Sequence, residues 1–259
     1  MNLSFNKDSG QMLQFGGFAF IAEYSASKSI LNNAISILSE ALTISATTAT
    51  LETTLGVPAT GNAFIGDLLG TETFTLTSKS DTLKQVYGTR STGAPLAHTK
   101  GEMLNVVGTS GYARFFPFGF IDKMSIDPGK KARTKIYDHN GKVRGSSNEL
   151  NDPVFKITGL QSGIMERALL FARDISSTEV LGMKRMSTTA LEDFAFFILT
   201  AEKDLETGAY KYGMIRIPHA QLSTTSELPF TQEVKKLEYT FNLIEDTTIG
   251  DFIVIDMEA

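Results

Sequence analysis

The sequence predicts a mainly β protein: an antiparallel β-sandwich or barrel with one amphipathic helix packed against it and long loops. Three observations predict this class. Many segments are rich in threonine and aromatic residues and alternate apolar with polar positions at the period of a strand. They follow one another without the strand–helix alternation of parallel sheets. Finally, Asn140-Gly141 lies between two short alternating runs of 132–145 and is the preferred pair for a type I′ hairpin turn.

The composition bounds the class further. The chain has 259 residues, enough for a substantial core, and no linker or repeat divides it, so we expect one elaborated domain over 1–259. It contains no cysteine, which excludes disulfides, thiol nucleophiles and cysteine-based metal sites. A net charge of −5 argues against tight binding to nucleic acid phosphates. With no secretory signal or membrane-length apolar run, we expect a soluble protein made in the cytoplasm without membrane contact.

The N-terminal part predicts an arm, a strand and a helix. Residues 1–12 are polar and unpatterned, which predicts a flexible arm, and 15–24 predicts a strand with a Gly-Gly bulge or bend. The amphipathic helix is predicted over 28–42, because its apolar residues repeat at helical spacing. These residues are Ile30, Leu31, Ala34, Ile35, Leu38, Ala41 and Leu42.

The next segments predict strands separated by long loops. Threonine-rich alternation predicts strands over 44–55 and 71–80. Glycines punctuate 56–70, and glycine, serine, threonine and proline occur together in 84–101, so both are predicted as loops. The loop over 84–101 is expected to be mobile.

The rest of the chain predicts mostly strands. Pro117 favours an edge position for its strand, because proline cannot donate to a sheet. Besides the hairpin, strands are predicted over 102–108, 112–126, 153–160, 191–203, 209–222 and 251–257, and a second short helix over 163–175. In the long strand before the last one, alternate residues share a face that we expect to be core. They are Leu237, Tyr239, Phe241 and Leu243.

The three histidines form no recognisable catalytic or metal-binding pattern. His98, His139 and His219 lie in separate segments, and none has the i, i+4 spacing of a helical zinc site. The run Asp138–Gly141 matches only the beginning of a calcium loop, since the later oxygen ligands are missing. The sequence therefore predicts no catalytic, cofactor-binding or metal-binding residue, and the protein does not resemble an enzyme.

A basic cluster and a phenylalanine cluster leave alternatives open. The basic cluster is a charged guard on an edge strand, a contact to the acidic part of a neighbouring copy, or a nucleic-acid patch. Its members are Lys130, Lys131, Arg133 and Lys135. The four phenylalanines cannot all face one side of a strand, so at least one is expected at an interface. They are Phe115, Phe116, Phe118 and Phe120.

The C-terminal pattern resembles that of bacteriophage tail tube proteins. The run IPHAQLS, a loop, the alternating strand KKLEYTFNLIED and a short final strand resemble the C-terminal half of that family. The preceding GFIDKMSIDPG, TKIYDHNGKV and DPVFKITG are similar to its succession of strands with a polar hairpin. The similarity is one of pattern over 103–256 and has no counterpart in the first hundred residues.

The resemblance implies a non-enzymatic structural protein of the virion tail. Members of the family form hexameric rings that stack into a hollow tube with other tail proteins, and DNA passes through the acidic lumen without specific binding. On this basis, the arm over 1–12 and the loop over 84–101 are expected to be ordered only by neighbouring subunits. Other hypotheses are a capsid decoration or baseplate protein and, from a different class, a carbohydrate-binding β-sandwich, which the absence of tryptophan disfavours.

Overall fold

The structure is a computed structural model that describes most of the chain. The described residues are 3–6, 12–66, 72–90, 95–113, 115–118, 121–127, 129, 131–137, 143–150, 153–159, 193–204, 208, 210–225, 237–251 and 253–257.

The described residues form strands joined by turns and a single short 3-10 turn, Ile30–Asn32. In chain order the strands are β1 (Leu3–Asn6), β2 (Met12–Glu23), β3 (Asn33–Ile37), β4 (Thr48–Thr50), β5 (Gly61–Ile65), β6 (Glu72–Ser80), β7 (Gln85–Arg90), β8 (Met103–Val107), β9 (Phe116–Pro117), β10 (Ile121–Asp127), β11 (Lys131–Tyr137), β12 (Val143–Leu150), β13 (Val154–Gly159), β14 (Asp193–Asp204), β15 (Tyr210–Thr225), β16 (Leu237–Leu243) and β17 (Val254–Met257). Their pairings are antiparallel, which confirms the predicted mainly β, antiparallel class.

The larger sheet has nine strands and curls around an aromatic core. Its main path is β1-β2-β14-β15-β16-β13-β10, with β9 beside β2 and β17 beside β15. The ring of Phe241 lies 4.8 Å from that of Phe196 and 6.0 Å from that of Phe155. The curl brings β10 towards β2, so that a Cβ on Gly17 would lie 3.0 Å from the methyl carbon of Met124. One face of this sheet is therefore turned inward on itself.

The six-stranded sheet runs in the order β3-β8-β5-β6-β7-β4 and also curls. Its two outer strands meet just beyond their ends, where Leu38 forms a bridge with Leu51. The Ser39 N–H donates to the Thr50 carbonyl at 3.0 Å, and the Glu52 N–H donates to the Ile37 carbonyl at 2.9 Å. The interior is a second apolar core, built from Ala34, Leu38, Leu42, Ala49, Leu51, Val57, Ala63, Ile65, Phe74, Leu76, Val86, Leu104 and Val106.

Strand β14 joins the two sheets, because both of its faces are buried. Phe194, Phe196 and Ile198 point into the core of the nine-stranded sheet. The alternate residues belong to a third core, between the outer faces of the two sheets. That core contains Phe20, Ala22, Ile30, Ile35, Ile37, Met103, Tyr112, Phe115, Ala195, Phe197, Leu199 and Met214.

The amphipathic helix predicted over 28–42 is wrong. After the short turn, Asn33–Ile37 forms β3, which pairs with β8, and all five of its residues are buried. Ala34 faces the core of the six-stranded sheet, whereas Ile35 and Ile37 face the core between the sheets. A strand buried on both faces does not alternate apolar with polar residues, and its composition is easily mistaken for that of a buried helix.

Two predicted loops contain strands. The loop over 84–101 includes β7, which pairs with β6 and β4, and the loop over 56–70 includes β5. Gly88 suggested a loop, but within β7 it leaves room for a core ring, since a Cβ there would lie 2.7 Å from Cε1 of Phe74. Because β7 is paired inside the subunit, the expectation that neighbours alone order 84–101 is wrong for this strand.

The arm predicted over 1–12 also contains a strand. Leu3–Asn6 pairs antiparallel with the start of β2, from Leu3 opposite Phe15 to Asn6 opposite Met12. Of the bulge or bend predicted at Gly-Gly, the bulge is wrong, because Gly16 and Gly17 stay in continuous register with Ala201 and Thr200 of β14, whereas the bend stays a prediction. Backbone pairing with β2 therefore orders the arm over 3–6 within the subunit.

Several predicted strands are confirmed. The final long strand is β16, and its residues Leu237, Tyr239, Phe241 and Leu243 are buried as expected. Strands β11 and β12 form the predicted hairpin, whereas its turn, with Asn140-Gly141, lies outside the described residues. Of 44–55, only Thr48–Thr50 is a strand. The helix predicted over 163–175 also lies outside the described residues.

The phenylalanine cluster divides between two cores. Phe116 and Phe118 face the core of the nine-stranded sheet, while Phe115 faces the core between the sheets. Strand β9, with Pro117, pairs only with β2 among the described strands, as an edge position requires. These three rings are therefore buried within the subunit, and Phe120, for which an interface stays a prediction, lies outside the described residues.

Phe241→Ala tests the register of β16. We expect a loss of about 3–5 kcal/mol in the free energy of unfolding, because the ring is fully buried among other aromatic rings. Phe18→Ala is the matched control, since Phe18 of β2 is 54% exposed and should change stability by less than about 0.5 kcal/mol. Urea unfolding measures both, and equal losses for the two variants would contradict the assigned register.

Candidate assembly surface

Strand β17 pairs with the part of β15 that β16 does not cover. Strand β16 covers Ala220–Thr225 of β15, and β17 covers Gly213–Arg216 further along the same strand. On its outer side, β17 pairs with no strand in the described part of the chain. Its outward backbone N–H and C=O groups are therefore placed to pair with another strand.

Side chains of β15 hold β17 in register. Nη1 of Arg216 donates to the carboxylate of Asp256, and the guanidinium lies 5.5 Å from the ring centre of Phe197. Next to it, Gly213 leaves space for Met257, because a Cβ at that position would collide with the sulfur of Met257. Within the described residues, Nε of Arg216 is buried without a hydrogen-bond partner, and the salt bridge to Asp256 adds to the backbone pairing of β17 with β15.

Two large apolar side chains of β17 face solvent. Ile255 is 60% exposed and Met257 is 46% exposed, while the alternate residues Val254 and Asp256 are half-buried. A strand edge that combines unpaired backbone groups with exposed apolar residues is a place where another chain can add to the sheet. The arrangement can bind a β-strand of a partner.

A second polar feature closes one end of the six-stranded sheet around Glu72. Its carboxylate accepts a two-pronged contact from Arg90, with Nε to Oε1 at 2.7 Å and Nη2 to Oε2 at 2.5 Å. It also accepts the backbone N–H of Leu96 at 2.9 Å. His98 lies between two carboxylates, with Nε2 3.3 Å from Glu72 and Nδ1 2.7 Å from Glu102. Glu72, Arg90 and His98 are nearly inaccessible to solvent.

This cluster shifts the titration of both carboxylates. Burial would raise the pKa of Glu72, but hydrogen bonds from Arg90, Leu96 and His98 outweigh it and lower the pKa below its usual value. The pKa of Glu102 is lowered in the same way, because hydrogen bonds from the Thr99 backbone and from His98 overcome the effect of burial. These contacts fix the segment after β7 to the six-stranded sheet, so the cluster has a structural role.

His219 lies in a third polar group, beside β14. Its ring stacks on Tyr24, with ring centres 3.8 Å apart and planes 3° from parallel, and its Nε2 lies 3.0 Å from Oδ1 of Asp193. Burial, followed by the charges of Asp246 and Asp193, raises the pKa of Tyr24. The phenol of Tyr24 therefore stays protonated. Stacking on this ring holds the imidazole of His219 in place.

The structure separates the residues that the sequence singled out. His98 and His219 lie in different polar groups, and His139 is outside the described residues. In the part of the chain that is described, no three His, Cys, Asp or Glu side chains are grouped to hold a metal ion. Lys131, Arg133 and Lys135 belong to β11, whereas Lys130 is not among the described residues.

Sequence reasoning missed three residues that organise these sites. Glu72 is the first residue of β6 and Arg90 the last of β7, so only the hairpin pairing brings them together. Arg216 lies among apolar residues of β15, so the sequence pattern did not single it out. The one available sequence signal for the Glu72 cluster was an acidic residue at the start of β6 and a basic residue at the end of the next strand, β7.

Comparison with known proteins assigns no family. No protein-family model matches the chain, and a search of curated proteins finds no match either. The described residues include no helix that could span a lipid bilayer.

Glu72→Gln tests the buried ionic cluster through pH. A carboxylate whose pKa is lowered by folding contributes stability above its unfolded value of about 4.5, and this contribution is lost as the pH falls through the lower, folded pKa. The variant should lose about 3–5 kcal/mol at pH 7, because Arg90 stays buried without its partner. It should also lose less stability than the natural protein between pH 5 and 3.

The control is Glu40→Gln, which changes an exposed carboxylate outside this cluster. Thermal unfolding across the same pH range measures all three proteins. If Glu72→Gln and Glu40→Gln gave the same acid dependence as the natural protein, the assigned role of Glu72 would be wrong.

Proposed function

We propose that the protein is a non-enzymatic structural subunit of a bacteriophage tail tube, which self-associates into stacked hexameric rings. The observation that carries the proposal is the edge of β17, which no described strand pairs and which lies beside exposed Ile255 and Met257. Proteins that stay monomeric usually cover, shorten or charge such edges. An edge of this kind supports pairing of sheets between subunits.

The order of strands supports the same proposal. The resemblance to tail tube proteins rests on a run of strands and a polar hairpin over 103–256. Strands β10 to β13 and β15 to β17 occupy the corresponding segments. The resemblance is one of pattern, and it gains support because each quoted segment contains a strand.

The net charge suits a channel for DNA. A charge of −5 repels phosphates, so DNA would pass through the lumen as cargo without specific binding. The partners would be further copies of this chain and other tail proteins, and the site of action would be the virion tail. A capsid decoration or baseplate component would use the same edge, and particle shape separates these functions from a tube.

Association of the purified full chain tests the proposed function. Sedimentation velocity over a concentration series should show oligomers, and negative-stain microscopy should show six-fold rings or tubes. A strictly monomeric protein at every concentration would contradict the proposal, and closed particles without a central channel would favour the decoration hypothesis.

A pair of isoleucine variants locates the association. Ile255→Asp should raise the concentration for half-association at least tenfold, because it places a charge on the apolar face of the open edge. Ile44→Asp is the matched control, since Ile44 is 58% exposed and lies outside this edge. Equal association of the two variants would show that β17 is not the contact.

A further inference from the structure

We infer that the outer edge of β17 binds the β11–β12 hairpin of a neighbouring copy as additional strands of its sheet. This inference rests on the proposed self-association and names the two surfaces that meet. It differs from a symmetric contact, because each copy offers its hairpin at one place and its β17 edge at another.

The hairpin is a strand pair without a sheet. Strands β11 and β12 pair from Lys131 opposite Leu150 to Tyr137 opposite Val143, and neither pairs with another strand in the described part of the chain. A two-stranded hairpin is marginally stable in water, and it gains when a third strand or a packed face is added. The hairpin therefore has an unpaired strand edge, and pairing of that edge with another strand would stabilise the hairpin.

The choice of recipient follows from the open edges. The six-stranded sheet offers none, because the bridge between Leu38 and Leu51 joins its outer strands. In the nine-stranded sheet, the described strands leave β1, β9, β10 and β17 with an unpaired side. Strand β17 combines its unpaired side with two strongly exposed apolar side chains, Ile255 and Met257.

Charge favours pairing of β17 with the hairpin of another copy over pairing of β17 with the β17 of another copy. Strand β11 carries three basic residues and no acidic one. The C-terminal region over 237–257 carries carboxylates and no lysine or arginine, and both Glu245 and Asp251 are exposed. Two copies of β17 would bring like charges together, whereas β11 brings the opposite sign.

Strand β17 also offers an exposed carboxylate along its edge. Alternate residues of a strand share a face, so Asp256 lies on one face and Ile255 and Met257 on the other. The side chain of Asp256 is 46% exposed although it bonds Arg216. A basic strand paired along this edge would therefore lie beside a carboxylate that solvent still reaches.

The contact is head-to-tail and therefore sets the form of the assembly. Because a copy donates at the hairpin and receives at β17, each subunit binds two neighbours. Such a contact closes into a ring when its rotation divides a full turn, and otherwise continues as a filament. A two-fold dimer is not the expected product.

Charge reversal in the full chain tests the inference. The hairpin variant combines Lys131→Glu, Arg133→Glu and Lys135→Glu, and the edge variant is Ile255→Lys, which places a basic charge on the exposed side of β17. Each variant alone should need at least ten times the protein for half-association, because its hairpin and its edge then carry the same sign. Mixing the two variants should restore association, since each hairpin again meets an edge of opposite charge. Circular dichroism checks that both variants are folded.

The matched control reverses three exposed lysines elsewhere, Lys28→Glu, Lys100→Glu and Lys156→Glu. Each reversal changes the net charge by −2, so this control and the hairpin variant both move from −5 to −11. The control should associate more strongly than the hairpin variant at equal net charge.

The outcomes separate the inference from the proposed function. If the natural protein never associates, the proposed function fails. If it associates and the hairpin variant matches the control, or if mixing restores nothing, the inference fails while the function stands. Loss of binding to DNA without loss of association would assign the basic hairpin to nucleic acid and overturn the inference.

Discussion

Burial of β14 on both faces is the interaction on which the rest of the structure depends. Its run Phe194–Leu199 sends alternate side chains into the core of the nine-stranded sheet and into the core between the sheets. Strands β2 and β15 flank it and supply its backbone hydrogen bonds. Because one strand belongs to two cores, a change at its centre weakens both sheets together. The chain has no cysteine, so no disulfide joins its layers.

The same arrangement leaves the periphery available for contacts. The interior strands are satisfied on both sides, whereas β17 and the hairpin lie at the margin with unpaired edges among the described strands. The salt bridge between Arg216 and Asp256 fixes β17 against the rigid β15, so the edge is presented in a defined register. Under the proposed function, this division between a closed interior and preorganised edges would let copies associate without changing shape.

The sequence predicted a strand together with its buried face where the other face is exposed, whereas it predicted the doubly buried strands unevenly: β14 as a strand over 191–203 and Asn33–Ile37 as part of a helix. The alternation from Leu237 to Leu243 predicted both β16 and its buried face, because one side of the strand is half-exposed. Asn33–Ile37 has no such contrast, so its apolar residues were assigned to a helix. Gly88 was read as a loop signal because the ring that it accommodates comes from another strand. Glu72 and Arg90 are far apart in the chain, and no local spacing indicates their contact.

Hydrogen–deuterium exchange of the free and associated chain tests the central claim, that a doubly buried strand supports edges which pair between copies. Amides of β14 should exchange last in both forms, because their opening requires loss of two cores. Amides over 254–257 should exchange quickly in the free chain and be protected at least tenfold on association, together with those of β11 and β12. Unchanged exchange over 254–257, or early exchange of β14, would contradict the account.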